Sequence, residues 1–243
     1  MSATKIEWTE VTWNPTTGCS KISAGCTNCY AELFAKRLQA IGAEKYKNGF
    51  KLTLHPDVLI EPKKYKTPRI IFVSSMSDVF HKDIPLSFLK KIFEVMNETP
   101  RHIYQVLTKR AERMEKLAGE LRWTENIWLG VTVENQKARY RIEHLKRVPA
   151  KIKFLSMEPL LEAVPDINLE GIDWVIVGGE SGPKARPIKE EWILEIKNAC
   201  EKYNAAFCFK QWGGFNKKAN GRLLRGKIYD EMPKIYTNQG SLF

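Results

Sequence analysis

The stretch from Arg69 to Leu107, RIIFVSSMSDVFHKDIPLSFLKKIFEVMNETPRHIYQVL, decides the fold. It opens with a short β-branched and aromatic run, Arg69 to Ser74, which is typical of a buried strand. A helix is predicted over Pro85 to Glu98, because apolar residues recur there at three- and four-residue steps behind an early proline. A second strand-like run covers His102 to Leu107. Strand, helix and strand in this order predict two parallel strands joined by a crossover helix.

The same alternation continues along most of the chain. Further strands are predicted at Val11 to Trp13, Ile127 to Val133, Ile152 to Ser156, Trp174 to Val177 and Ala206 to Phe209. Further helices are predicted at Cys29 to Ile41, Lys109 to Ala118, Asn135 to Lys146 and Lys189 to Tyr203. Alternation repeated this often predicts an α/β fold whose parallel sheet is either doubly wound or curled into a barrel.

We expect one sheet domain followed by a short extension. No linker-like stretch interrupts the predicted strands and helices. The lysine- and glycine-rich stretch Asn216 to Lys227 begins after the last predicted strand. We therefore assign residues 1–215 to the sheet domain and residues 216–243 to a C-terminal extension that packs on the domain or follows it.

Composition excludes several classes of protein. The 243 residues are 43% hydrophobic and 28% charged, close to the average of globular domains, which excludes disordered, collagen-like and disulfide-scaffold proteins. No apolar run reaches the roughly 18 residues that a membrane-spanning helix needs. The N-terminus lacks the basic and apolar regions of a secretory signal, so we expect a cytoplasmic protein with no membrane contact.

Polar residues follow almost every predicted strand. In a parallel barrel the carboxyl ends of the strands form the active site, so these residues are candidates for function. They are Ser75, Ser77, Asp78, Lys109, Arg110, Glu134, Asn135, Glu158, Gly178, Gly179 and Glu180. The alternative is structural, because loops are generally polar and Ser77, Asp78 and Asn135 are also suitable helix N-caps.

Some of these candidates indicate particular chemistry. Glu158 and Glu180 provide carboxylates for acid–base catalysis or for accepting ribose hydroxyls, and Lys109 can pair with a carboxylate or a phosphate. Gly178-Gly179 lies where a helix is expected to begin, so its N–H groups can approach a nucleotide or a phosphate closely. A tight turn would explain the two glycines equally well.

Three of the five cysteines form a cluster, Cys19, Cys26 and Cys29, with the spacing Cys-x6-Cys-x2-Cys after the first strand. An odd number of cysteines without an export signal argues against disulfides. Three thiolates on a loop suit an iron-sulfur cluster with one open iron, or a zinc whose fourth ligand is water or a distant side chain such as His81. Unliganded thiols are the third alternative.

The cysteine segment resembles the cluster loop of radical S-adenosylmethionine enzymes, particularly the relatives of spore photoproduct lyase. The resemblance covers Cys26-x2-Cys29-Tyr30 with Asn14-Pro15 and Gly18-Cys19 upstream, and the strand ends Val73 to Phe80 and Val106 to Lys109. Those enzymes have three residues between the first two cysteines, whereas this chain has six.

Over nearly its whole length the chain is also similar to a family of phage-borne and prophage-borne three-cysteine proteins of unknown function. The matching motifs are Trp13-Asn-Pro15, Gly25-Cys-x2-Cys-Tyr-Ala31, Leu107-Thr-Lys-Arg110, Leu129-Gly-Val-Thr-Val-Glu-Asn135, Met157-Glu-Pro159, Val177-Gly-Gly-Glu180 and Lys210-Gln-Trp-Gly213. Both resemblances imply a partial or complete parallel β/α barrel related to the radical S-adenosylmethionine fold.

The resemblance also implies cofactors and roles. Cys19, Cys26 and Cys29 would ligate a four-iron four-sulfur cluster that cleaves S-adenosylmethionine to a 5′-deoxyadenosyl radical. The remaining cofactor-binding positions implied are Ser75, Ser77 and Asp78 near the methionine amino group, Lys109 at the methionine carboxylate, and Glu134, Asn135, Gly178 and Gly179 near ribose and adenine. Lys109, Glu158 and Glu180 are the candidate catalytic residues.

We therefore expect an enzyme that performs radical chemistry to modify or repair a nucleic acid or a nucleotide. One alternative is a non-catalytic barrel with a structural zinc that binds nucleic acid or a partner protein. Another is a zinc-dependent hydrolase with Glu158 or Glu180 as its base. Cys200 and Cys208 are expected to be buried packing residues.

The charge of the chain generates a testable prediction. Basic residues exceed acidic ones by 39 to 28, a net charge of +11, which attracts phosphate. We expect micromolar binding to DNA or RNA, with a log-log salt slope of about −3 to −6 from ~4–6 phosphate contacts. Charge reversal at Lys217, Lys218 and Arg222 should flatten the slope. Absence of binding in a low-salt titration would point to a nucleotide, a peptide or a partner protein instead.

Overall fold

Seven parallel strands form a sheet that curls into a half-barrel. The computed structural model describes residues 1–4, 6–234, 236–237 and 240–241. The strands are β1 (Ser2–Ala3), β2 (Val11–Trp13), β3 (Thr16–Thr17), β4 (Thr53–Leu54), β5 (Ile70–Val73), β6 (Ile103–Thr108), β7 (Ile127–Thr132), β8 (Lys153–Met157), β9 (Trp174–Gly178), β10 (Ala206–Gln211), β11 (Tyr236–Thr237) and β12 (Gly240–Ser241). The sheet order is β1-β2-β5-β6-β7-β8-β9-β10, with β1 antiparallel at the edge. The predicted α/β half-barrel is confirmed.

Helices connect the parallel strands on one side of the sheet. They are α1 (Tyr30–Ala40), α2 (Glu61–Lys64), α3 (Leu86–Glu98), α4 (Ala111–Ala118), α5 (Tyr140–Lys146), α6 (Glu190–Tyr203) and α7 (Lys217–Asn220). Short 3-10 turns occur at Ala24–Cys26, Glu44–Tyr46, Pro56–Val58 and Gln136–Ala138. None of the helices in the described chain combines the length and the apolar character needed to cross a bilayer.

The predicted elements agree with the structure, with one clear difference. Every predicted strand of the parallel sheet is present, with ends that agree to within two residues. Helix α5 begins at Tyr140 rather than at Asn135. The difference arises because Asn135 caps a separate 3-10 turn, its side chain accepting a hydrogen bond from the Ala138 N–H at 3.1 Å.

The two faces of the sheet are packed differently. One face lies against the helices, where apolar residues such as Phe88, Leu89 and Ile92 of α3 are buried, as their spacing predicts. The other face forms a separate aromatic cluster inside the curl of the sheet. Trp174 has its ring centroid 6.1 Å from that of Trp128.

This inner cluster closes the bottom of the half-barrel. Side chains two residues apart on a strand face the same side, so the alternation that places Trp128 inside also places Gly130 and Thr132 there. A Cβ at Gly130 would lie 2.5 Å from the Phe154 ring, which leaves no room for a side chain. The inner face is therefore aromatic at its base and polar toward the carboxyl ends of the strands.

Part of the C-terminal stretch packs on the sheet. The Phe209 N–H donates to the Tyr229 carbonyl at 2.9 Å, and the Glu231 N–H donates to the Phe207 carbonyl at 3.2 Å. These bonds cover the free edge of β10. Arg222 pairs with Asp230. The structure does not describe the side chains of Lys217 and Lys218, nor residues 235, 238–239 and 242–243. The division into residues 1–215 and 216–243 stays a prediction.

The close packing inside the half-barrel predicts that Gly130→Ala is destabilising. The added methyl group must displace the fully buried Phe154 ring, at a cost of about 1–3 kcal/mol in the free energy of unfolding. Gly119→Ala is the matched control, since no atom lies within 4 Å of the position of its Cβ. Urea denaturation should show a lower midpoint for Gly130→Ala than for Gly119→Ala, and equal midpoints would contradict the packing.

Candidate active site

A cavity of about 390 Å³ opens at the carboxyl ends of the parallel strands. Trp8, Phe72 and Leu107 give it an apolar floor. Its polar lining residues at and after the strand ends are Ser74, Ser75, Ser77, Asp78, Thr108, Lys109, Arg110, Thr132, Ser156, Glu158, Glu180, Ser181, Lys210 and Gln211. Cys19, Cys26 and Cys29 line the same cavity. The structure therefore brings the cysteine cluster and the polar strand ends together, as the sequence predicts.

The cysteines lie on residues 18–29, which we call the cysteine loop. The loop begins at Gly18, whose φ is +79° and whose N–H donates to the Met76 carbonyl at 2.9 Å. A Cβ there would lie 2.2 Å from the Lys51 carbonyl oxygen, so only glycine fits. The Ser77 hydroxyl donates to the Gly18 carbonyl at 2.6 Å, which attaches the loop to the end of β5.

The Ser75 hydroxyl is also engaged near the base of the loop. It donates to Asn14 Oδ1 at 3.2 Å, and the same oxygen accepts from the Met76 N–H at 3.1 Å. Ser75 and Ser77 thus lie on the cavity, as the resemblance implies, but their hydroxyls already bond to the protein. The Ser77 contact connects the loop to the end of the second parallel strand, and the Ser75 contact connects Asn14, before the loop, to the same strand end.

Asp78 and Arg110 form a second attachment of the loop. The Arg110 guanidinium donates to Asp78 Oδ2 at 2.8 Å, to the Ser20 carbonyl at 2.9 Å and to Cys19 Sγ at 3.5 Å. Asp78 also accepts from the Thr108 hydroxyl at 2.7 Å and from the Lys109 N–H at 3.1 Å. Both oxygens of this buried carboxylate are therefore bonded to the protein.

Glu134 provides a third attachment from the end of β7. It is fully buried and accepts from Arg141 Nη1 at 2.8 Å and from the Gly25 N–H at 3.3 Å. Burial by itself would raise the pKa of this carboxyl, but the Arg141 charge and a hydrogen bond from Ser23 outweigh burial and lower the pKa. The carboxylate of Glu134, whose pKa is lowered in this way, thus holds the loop in place.

Glu180 provides a fourth attachment, from the end of β9. Its carboxylate accepts from Arg186 Nη2 at 2.5 Å, from Arg186 Nε at 2.9 Å and from Asn28 Nδ2 at 3.0 Å. Arg186 also donates to the Ala24 carbonyl at 3.0 Å, so the pair bridges β9 and the cysteine loop. Burial opposes ionisation of Glu180, but the hydrogen bonds from Arg186 and Asn28 are stronger in effect and lower its pKa.

Three charged groups, Lys109, Glu158 and Lys210, face the cavity without bonding to the loop. The Lys109 ammonium donates to the Thr132 hydroxyl at 3.2 Å. On the opposite side the Lys210 ammonium donates to Glu158 Oε1 at 2.7 Å and to Oε2 at 2.9 Å. Gln211 Nε2 lies 3.4 Å from Glu158 Oε1. Lys109 and the Glu158–Lys210 pair are therefore positioned to contact a ligand.

Three predicted cofactor-binding residues do not reach the cavity. Glu134 and Asn135 are absent from its lining, and so is Gly178. Gly178-Gly179 is not at a helix start either, because α6 begins only at Glu190. A Cβ at Gly179 would lie 2.0 Å from the Trp212 carbonyl oxygen, so this glycine permits the backbones after β9 and β10 to approach each other.

Several residues of the site were not predicted from the sequence. Arg141 and Arg186 were not candidates, since neither follows a strand directly and arginine is common on surfaces. Lys210 and Gln211 belong to a strand end for which the sequence indicates no particular role. The one available signal was alternation, which places Lys210 on the same face as the buried Cys208.

The three thiols differ in environment although they share one cavity. Burial raises the pKa of Cys19 to about 11, with Asp78 adding to the effect and Arg110 opposing it. For Cys26, burial is outweighed by the Lys109 charge and by backbone hydrogen bonds from the cysteine loop, so its pKa is lowered. All five cysteines of the chain are free, and Cys200 and Cys208 are buried, as predicted.

Three thiols suit either a zinc ion or an iron-sulfur cluster, and the two need different arrangements of donors. Among the residues that the structure describes, no three His, Cys, Asp or Glu side chains converge on one point. Zinc needs such convergence, whereas in a cluster each thiolate binds a different iron. His81 is not a spare zinc ligand, because Nε2 bonds to the Ser20 hydroxyl at 2.8 Å and Nδ1 accepts from the Asp83 N–H at 3.3 Å.

A family model described as a protein of unknown function, DUF5131, matches residues 3–233. The chain belongs to this family. A search of curated proteins gives no match to this DUF5131 protein.

Solved structures of spore photoproduct lyase are similar to the DUF5131 protein in fold. A cysteine-to-serine mutant is 13% identical with a TM-score of 0.57, covering 86% of this chain and 78% of the lyase chain. A tyrosine-to-phenylalanine mutant is 12% identical with a TM-score of 0.55, covering 81% and 75%. A double mutant with bound AdoMet and dinucleoside spore photoproduct is 14% identical with a TM-score of 0.50, covering 79% and 61%.

The lowered pKa of Glu180 predicts that the folded protein loses stability in acid. Because its pKa is lowered on folding, the unfolded chain takes up a proton below about pH 4.3 that the folded chain does not. The free energy of unfolding therefore falls as pH falls through this range. Glu180→Gln should flatten the dependence by at most about 1.4 kcal/mol per pH unit in urea titrations.

Glu125→Gln is the control for this measurement, because Glu125 is an exposed carboxylate outside the site. We expect it to leave the pH dependence unchanged. If the free energy of unfolding of Glu180→Gln depends on pH as steeply as that of the natural protein, Glu180 is not held ionised by Arg186.

Proposed function

We propose that this protein holds a four-iron four-sulfur cluster on Cys19, Cys26 and Cys29 and uses S-adenosylmethionine for radical chemistry on a nucleic acid or a nucleotide. The observation that carries the proposal is the position of three free thiols of one loop around one cavity, at the carboxyl ends of a half-barrel. The similarity in fold to spore photoproduct lyase supports it.

The cluster would supply an electron for the reductive cleavage of S-adenosylmethionine. The protein's own contribution is to bind and orient. Four attachments hold the cysteine loop over the cavity, and the apolar floor formed by Trp8, Phe72 and Leu107 limits the access of water from below. No fourth cysteine belongs to the loop, which leaves a position for the cofactor.

Lys109 is the residue that we assign to the methionine carboxylate. Within the described part of the chain, the carboxylates at the ends of the strands are paired with cations of their own: Asp78 with Arg110, Glu134 with Arg141, Glu158 with Lys210, and Glu180 with Arg186. Lys109 is the cation that remains, and it lines the cavity. An anionic group of a ligand would complete its ion pair.

We assign Glu158, together with Lys210, to the substrate. Both line the cavity on the side of β8 and β10. The dinucleoside bound in one of the similar structures, together with the net charge of +11, favours a substrate that contains a nucleotide. Glu180 and Asp78, whose oxygens all bond to the protein, are assigned to positioning the loop. A phage origin, a role in repair and cytoplasmic localisation stay predictions.

Anaerobic reconstitution tests the proposed function. The protein is loaded with iron and sulfide, reduced with dithionite and incubated with S-adenosylmethionine, and the products are searched for 5′-deoxyadenosine. Brown protein with broad absorbance and formation of 5′-deoxyadenosine would support the proposal. Colourless protein with stoichiometric zinc would favour the structural-metal and hydrolase alternatives.

The proposed ligand set predicts the effect of single cysteine substitutions. Because each thiolate fills one iron position, Cys19→Ala, Cys26→Ala and Cys29→Ala should each abolish stable four-iron assembly. Cys200→Ala is the control, since Cys200 is buried in the core on α6, away from the cavity. Iron and sulfide analysis of the four variants provides the measurement. Full iron content in Cys19→Ala would remove Cys19 from the ligand set.

The assignment of Lys109 predicts weaker cofactor binding in Lys109→Ala. Loss of a shielded charge-assisted contact should weaken S-adenosylmethionine binding by ~1.5–3 kcal/mol while the iron content stays unchanged. Lys184→Ala is the control variant. The Lys184 side chain is exposed, and only its backbone carbonyl contacts the cysteine loop, by accepting a hydrogen bond from Asn28. Equilibrium dialysis measures both. Unchanged affinity in Lys109→Ala would mean that Lys109 contacts the substrate or solvent.

A further inference from the structure

Helix α1 presents most of its large apolar side chains to solvent, and of these only Leu38 packs on the cluster beneath the helix. Its buried residues are only Ala31 and Ala35. Leu33 is 45% exposed, Phe34 is 50% exposed, and Ile41, directly after the helix, is 78% exposed. An ordinary surface helix has the opposite arrangement, with large apolar residues against the core. An outward apolar face of this kind marks an interaction site.

These side chains form one continuous stripe. At about 100° per residue, Tyr30, Leu33, Phe34, Arg37 and Ile41 fall within a sector of roughly 100°. We call these five residues the outer stripe. The adjoining side of the helix carries the ion pair between Glu32 and Lys36, at 2.7 Å, which is an ordinary solvated contact.

The outer stripe is continuous with the rim of the cavity. Helix α1 begins directly after Cys29, and the Tyr30 hydroxyl donates to the Ser75 carbonyl at 2.5 Å. Ile22 of the cysteine loop is 46% exposed, and its neighbour Lys21 pairs with Glu32 of the helix at 3.0 Å. A molecule seated on the stripe would therefore also border the cavity.

The composition of the stripe indicates which molecule covers it. Arg37 lies in its centre, is exposed, and has no carboxylate within ion-pair distance in the described chain. Tyr30 and Phe34 have π-faces, but Leu33 and Ile41 cannot stack on bases, so the stripe as a whole suits an apolar protein surface better than a nucleic acid. A second copy of the chain is disfavoured too, because each copy carries a net charge of +11 and the two would repel each other.

We propose that the outer stripe docks another protein, through an apolar surface that carries a carboxylate opposite Arg37. Burial of Leu33, Phe34 and Ile41 would provide the main attraction. The carboxylate would form an ion pair with the Arg37 guanidinium. Without such a partner, burial of Arg37 in the interface would leave its charge unpaired, which is unfavourable. The docked protein would border the cavity and restrict solvent there. This proposal does not depend on the cofactor.

Photo-crosslinking in cells that naturally contain the protein tests the proposal. p-Benzoylphenylalanine replaces Phe34 in the full chain, and a second variant carries it in place of Phe215, which is 80% exposed and lies after β10. We expect a distinct protein to be crosslinked from position 34 and not from position 215. Mass spectrometry identifies that protein and the crosslinked peptide, which should be apolar and contain Asp or Glu.

The identified protein is then purified, and its binding to the natural chain is measured directly. We expect Leu33→Ser and Arg37→Glu each to weaken binding at least about tenfold. Reversal of the partner's carboxylate to lysine should restore binding to Arg37→Glu. The exposed Arg122, on the loop before β7, provides the control Arg122→Glu, which should bind normally. Equal binding by Arg37→Glu and Arg122→Glu would overturn the proposal.

Two further measurements decide between the other occupants. Sedimentation shows whether the chain self-associates, and a dimer abolished by Leu33→Ser would assign the stripe to a second copy. Titration with an oligothymidine tests a nucleic acid, and binding that is lost in Phe34→Ser would assign the stripe to single strands. Either result, like the absence of any crosslink from position 34, overturns the proposal. None of them affects the test for 5′-deoxyadenosine.

Discussion

Strand alternation is the constraint on which the rest of this structure depends. Because residues two apart share a face of the sheet, the inner side of the half-barrel is aromatic at its base and polar at the carboxyl ends. On β7 the inner positions run from Trp128 through Gly130 to Thr132. The aromatic base seals the half-barrel, and the polar ends define the cavity. The glycine is required because the Phe154 ring occupies the space that its side chain would need.

Ionised carboxylates hold the cysteine loop, and each has an arginine beside it. Asp78, Glu134 and Glu180 lie at the ends of three strand segments and are buried. Burial alone would raise the pKa of Glu134 and Glu180, but the adjacent arginines lower it, and both carboxylates accept hydrogen bonds from the loop. The pairs Glu134–Arg141 and Glu180–Arg186 both reach the middle of the loop, at the Gly25 N–H and the Ala24 carbonyl. The thiols are thereby placed around one cavity by rigid attachments rather than by the loop's own sequence.

Sequence reasoning predicted the fold more fully than the roles of residues in the site. Composition and periodicity are local properties, so every parallel strand and five helices could be placed, with α5 alone beginning late because Asn135 caps a separate turn. Strand ends and cysteines were expected to meet, and they line one cavity. Glu134 binds Arg141 and Gly25, two partners that the sequence did not indicate. Such pairings join residues distant in sequence, and no local pattern encodes them.

The amino-acid sequence by itself determined the alternation of strands and helices, a parallel sheet, and the presence of three closely spaced thiols beside polar strand ends. These follow from hydrophobic periodicity and spacing, which act over a few residues. Only the tertiary structure decided which charged groups are committed to the protein and which remain for a ligand. Lys109 and the pair of Glu158 with Lys210 face the cavity, whereas Glu180 is bound to Arg186. The reason is physical: a charge is satisfied by whichever opposite charge the folded chain brings within hydrogen-bonding distance.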